Sequence, residues 1–133
     1  METLFYLHTK MHHGIYLLSA LAVIVTLVAT VRKQALSSLG VWIVRAYSIV
    51  LTLQVLVGLL QLVMRWGDFG DGLRYRLEHG LLMIVALTLV HLTPRFLKRG
   101  DAHGSRNAFL LTVGSLILVL LGVSLLQRAI AGA

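Results

Sequence analysis

Along this chain, long apolar stretches alternate with short polar ones. Residues 11–31, 46–64, 79–94 and 107–127 contain no Asp, Glu, Lys or Arg. Each run is about 16 to 21 residues long, close to the ~20 residues of helix that cross a bilayer core. Inside lipid a backbone must satisfy its own hydrogen bonds, so these runs are expected to be helices. The pattern predicts four spans, at about 12–31, 41–64, 77–94 and 107–128. It predicts an all-α integral membrane protein, one domain over residues 1–133. The first run is too long for the apolar core of a signal peptide and is expected to be retained.

Polar and small residues within the first two runs recur at helical spacing. His8, His12, Ile15, Ser19, Ala22 and Thr26 share one face, as do Tyr47, Leu51, Gln54, Gly58, Gln61 and Arg65. In a span, such faces are expected to turn away from lipid toward neighbouring helices. Ser19, Thr26, Gly114, Ser115 and Gly122 suit close helix approach and hydrogen bonding across it. Ser37, Ser38 and Gly40 form a turn with a helix start. "RWGDFGDGLRYRLE" is turn-rich, and Pro94 opens a third connection through "GDAHGS" to a helix starting at Asn107. Connections this short make sequential helices antiparallel neighbours, an up-down-up-down four-helix bundle.

Charge refines the picture. The formal net charge is +7, from 12 bases and 5 acids. The bases lie in short segments beside apolar spans, so the expected partner is the anionic surface of a bilayer and no nucleic acid. Arg32, Lys33, Arg95, Lys98, Arg99 and Arg106 fall on one side, with Arg45 able to snorkel toward them. Lys10, Arg65, Arg74, Arg76 and Arg128 fall on the other. The bias predicts a multi-pass protein of the cytoplasmic membrane with both termini outside. With no cysteine, disulfides, thiolate chemistry and iron–sulfur clusters are excluded.

The candidate chemistry is histidine. His8, His12 and His13 cluster at the outer end of helix one, and His79 begins helix three. Counted from Arg32 and Arg95, His12 and His79 differ in depth by roughly 6 Å, within reach of helix tilt. Three readings stand. The imidazoles are interfacial groups beside Tyr6, Tyr16 and Trp66. Alternatively His8 and His12 bind copper or zinc with His79 or Glu78. Or a helix-one histidine and His79 are the axial ligands of a b-type haem held between facing helices. Gly14, Gly58 and Gly80 would make room for the macrocycle, and Arg65, Arg74, Arg76 and Lys10 would meet its propionates. His91 lies about 120° around the helix from His79, so one haem is expected and not two.

"LHTKMHHG" in the first helix, "QVLVG" in the second and "LEHGLLMIVAL" opening the third resemble a group of small bacterial four-helix membrane proteins described as cytochrome-b-like. The resemblance implies a haem ligated by His79 and by His8 or His12, with Glu78 and Met83 completing a glutamate–histidine–x–x–x–methionine element. Gly80 stands where the group has proline, and Thr52 where a second-helix histidine often lies. The second departure leaves the ligands to helices one and three.

No acid pair lies inside the spans, and no nucleophile elbow or phosphate loop is present. Broken helices and inverted repeats, expected of a transporter, are also missing. Two classes of function remain, neither of them clearly enzymatic. One is a haem-binding protein in electron transfer or haem handling within the respiratory chain. The cofactor-binding set is then His12, His79, His8, Glu78, Gly58, Arg65 and Arg76, with the iron on His12 and His79. The other is a ligand-free accessory subunit packed against a larger respiratory or photosynthetic membrane complex.

Overall fold

A capping hydroxyl marks where the second helix begins. Ser37, in extended conformation, accepts a hydrogen bond from the Gly40 N–H at 3.1 Å, relieving one of the unpaired amides of a first turn. The computed structural model describes the backbone from Glu2 to Gly132 and side chains as far as Arg128. Helix α1 is Glu2–Val31 and α2 is Ser38–Met64. Two single turns of 3-10 helix, Trp66–Asp68 and Gly70–Gly72, lead into α3, Leu73–His91. A five-residue helix α4, Thr93–Leu97, precedes the last helix, α5, Ala102–Gly132. Four of the helical segments are long and apolar enough to cross a membrane.

Two boundaries differ from the sequence reading. Helix α1 begins ten residues before the predicted span, because the turn holding His8, Lys10 and His12 continues the helix beyond its apolar stretch. The last helix begins at Ala102 and not at Asn107. Asp101 causes this. Its carboxylate accepts from the Gly104 N–H at 2.7 Å, so "GDAHGS" is a capped helix start rather than a loop. Pro94 occupies the first turn of α4, where its missing N–H matters least.

The four long helices form a ring. Helix α1 packs on α2 and α5, and α3 packs on α5 and, less extensively, on α2. Helices α1 and α3 are therefore diagonal to each other. The core lies along their shared axis, with Ile15, Ala22, Val44, Leu51, Met83, Ala86 and Val119 buried. The expected polar faces turn inward: Ser19 and Thr26 on α1 and Tyr47 and Gln54 on α2 are buried. Hydroxyls there donate locally, as Thr26 does to the Ala22 carbonyl at 2.7 Å and Thr112 to that of Ala108 at 2.7 Å. Tyr47 and Ser115 instead join α2 to α5 at 2.8 Å. Leu17, Ile24, Ile49, Leu56, Leu81 and Ile117 are exposed around the perimeter, which suits a lipid surround.

The two ends of the bundle are built differently. At the end formed by the first and third connections, the Ser105 hydroxyl donates to the Gln34 carbonyl at 2.7 Å. Gly104 there lies so close to the Phe96 carbonyl that a Cβ would overlap it. The opposite end, where the chain starts and finishes, is hollow.

Candidate functional site: a histidine-lined cavity

Helix α2 supplies the long wall of a cavity of about 170 Å³. Leu51, Gln54, Val55, Gly58, Gln61 and Arg65 line it along α2. From Leu51 to Arg65 is 14 residues, a rise of about 21 Å. Ile15, Met83 and Val119 accompany Leu51 at the buried floor. Phe5, Phe69 and Arg76 accompany Arg65 at the mouth.

The histidines lie between floor and mouth. His8 and His12 come from α1 and His79 and Gly80 from α3, all lining the same cavity. Because α1 and α3 are diagonal, these imidazoles approach the cavity from opposite sides. His8 and His12 meet edge to face with centroids 5.3 Å apart, and His12 stacks on Tyr16 at 6.2 Å. The His8 ring rests on Gly58: a Cβ there would be 3.0 Å from its Cε1. The neighbouring backbone is fixed too, since the Gln54 amide donates to the His8 carbonyl at 2.7 Å. His79 is seated on α5, where a Cβ on Gly122 would be 3.4 Å from its Nδ1. Among the described residues, four buried polar atoms have no hydrogen-bond partner within the chain: His8 Nδ1, His79 Nδ1, Gln54 Oε1 and Gln61 Nε2. All four residues line the cavity.

At the mouth, Phe69 lies between two cations. The Arg76 guanidinium is 4.3 Å from the ring centroid and that of Arg65 is 5.5 Å. Arg76 also donates to the Gly72 carbonyl at 3.3 Å, and Arg65 faces Asp68 at 3.7 Å. Both arginines are thus preset at the rim.

Of the residues singled out from sequence, His8, His12, Gly58, Arg65, Arg76 and His79 converge on this cavity. Glu78 does not line it. Glu78 is exposed and receives a hydrogen-bonded ion pair from Arg74 at 2.9 Å, four residues earlier on α3. Gly14 also lies elsewhere, whereas Gly80 is lined with open space, nothing lying within 4 Å of a built Cβ. His13 and His103 are exposed, the latter on the first turn of α5 and not in a loop. His91 sits away from the cavity and meets Thr52 at 2.9 Å. Among the described residues, no three His, Asp or Glu groups come together as a metal site. Phe5, Leu59, Leu62, Phe69, Val123 and Leu126 line the cavity without having been announced by the sequence, and the role of Phe69 depends on two arginines from either side of the second connection.

Comparisons with family models, curated proteins and solved structures find no match to this chain.

Proposed function

We propose that this protein is a membrane-embedded b-type haem-binding protein that serves electron transfer or haem handling in a respiratory chain. One observation carries the reading. Histidines from diagonal helices, His8 and His12 on α1 and His79 on α3, line a single cavity. Two axial imidazoles must come from opposite sides of a macrocycle, and diagonal helices of a bundle supply that arrangement.

The remaining residues fit such a group. The Nδ1 atoms of His8 and His79 are buried at the cavity wall. Gly80 leaves the α3 backbone open to close approach. Arg65 and Arg76 stand at the mouth to receive carboxylates by charge-assisted hydrogen bonds. His79 would hold the iron from one side and His12 from the other, with His8, one turn nearer the mouth, as the alternative. Gly58 and Gln54 fix His8, and Glu78 offsets Arg74 beside the site. The haem, when bound, supplies one-electron redox chemistry; the chain itself orients the ligands, excludes water at the floor and neutralises the rim. In the membrane, both termini and the cavity mouth face outward, in keeping with the bases at Arg32, Lys33, Arg95, Lys98, Arg99 and Arg106 on the other side.

The test is a reduced-minus-oxidised visible spectrum of protein purified in mild detergent after expression with ample haem, repeated for His12→Ala and His79→Ala. A haem spectrum in the wild type that is lost in both variants is expected. No haem in the wild type would overturn the proposal and leave a ligand-free accessory subunit as the reading. Haem retained in both variants would overturn the ligand assignment alone.

A further inference from the structure

The inner end of the histidine-lined cavity is walled mainly by hydrocarbon. Its walls are Ile15, Leu51, Val55, Met83 and Val119, all buried and all without a polar side-chain hydrogen-bonding group save the soft thioether. Gln54 is the exception. It is only 4% exposed, lines the cavity, and leaves Oε1 without a partner.

The orientation of that amide is not arbitrary. Its Nε2 donates to the His8 carbonyl at 2.7 Å, and turning the amide over would set two oxygens against each other. The group left for an occupant is therefore an acceptor, which calls for a donor.

We infer that the floor of the cavity binds the hydroxylated ring of a lipid-soluble phenol or quinol, its hydroxyl donating to Gln54 Oε1. The ring lies among Leu51, Ile15 and Val119, and Met83 provides the sulfur–aromatic contact that favours a ring over an aliphatic alcohol. The inference concerns binding only. It does not rest on haem, because the Gln54 acceptor and the apolar chamber are features of the chain.

The test is calorimetric titration of the full chain in mild detergent, without oxygen, using tetramethylhydroquinone and its dimethyl ether as probes. The ether has the same ring and no donor. Tetramethylhydroquinone is expected to bind about tenfold more tightly than the ether, the effect of one buried acceptor met or left unmet. Gln54→Leu should remove that preference while still binding the ether, which reports that the chamber survives; Gln54→Met replaces it if the leucine variant does not fold. Equal affinities in the wild type would overturn the inference, as would a preference that persists without Gln54. Neither result bears on the visible spectrum, and a protein without haem would still be tested by this titration.

Discussion

The His8 imidazole lies against the bare backbone of Gly58, so one helix supplies the ring and the other the seat. A Cβ at Gly58 would be 3.0 Å from the ring carbon and 3.6 Å from Nδ1. Gly58→Ala should shift the ring by a few tenths of an ångström, and Gly58→Leu should expel it from the cavity wall. In the visible spectrum, haem content is expected to fall modestly in the first variant and severely in the second. Equal haem content in wild type and Gly58→Leu would show that the seat is irrelevant to binding.

Glu78 should matter much less than its neighbour. Its partner is Arg74, and that pair has half or more of each side chain exposed. Exposed ion pairs contribute about 0–1 kcal/mol. Glu78→Gln is expected to weaken cofactor binding far less than His79→Ala, measured by titrating haem into the purified variants. Equal losses would place Glu78 in direct contact with the bound group.

The Tyr47–Ser115 bond is the buried side-chain link between α2 and α5. Tyr47→Phe leaves the serine hydroxyl unpaired, and interhelical hydrogen bonds of this kind contribute about 0.6–1.7 kcal/mol in membrane proteins. Ser115→Ala should be destabilising by a similar amount, and the double variant by less than the sum. Unfolding in mixed detergent micelles measures the coupling; strict additivity would mean that the two hydroxyls do not stabilise each other.

Gly104 tolerates no side chain. Its built Cβ overlaps the Phe96 carbonyl, which belongs to a backbone and cannot swing aside. Gly104→Ala should cost about 1–3 kcal/mol, whereas Gly67→Ala, with nothing within 4 Å, should be nearly neutral. Thermal unfolding of the two variants side by side checks the contrast.

Orientation is open to direct labelling. Single cysteines are introduced at Lys98 and Asp71 of this cysteine-free chain. A membrane-impermeant reagent added from outside should label the Asp71 site and spare Lys98. The reverse pattern would invert the topology and leave the four spans intact.

The inward faces of α1 and α2 were legible because helical period and polar spacing act locally: Ser19, Thr26, Tyr47 and Gln54 could be assigned to the interior from order alone. Convergence of His12 with His79 was legible for a similar reason, since depth in a bundle follows from counting residues. The start of α5 was not, because a glycine-rich polar stretch reads as a loop until Asp101 is seen to cap it. The diagonal relation of α1 to α3, the seating of His79 on Gly122 and the placement of Phe69 between Arg65 and Arg76 depend on which helices meet. No residue pattern within a single helix encodes that.

Ser105 ties the first connection to the start of α5 through the Gln34 carbonyl, and Gly104 packs against α4 beside it. The helices are thus clasped at one end, while at the other the two 3-10 turns join α2 to α3 beside the cavity mouth. Any splaying of α1 from α3 would grow with distance from the clasp. It would be greatest where Phe69 and the two arginines stand, and least at the floor beside Leu51. An occupant can be admitted by a small splaying of the free ends while the hydroxyl-lined interior beneath stays closed.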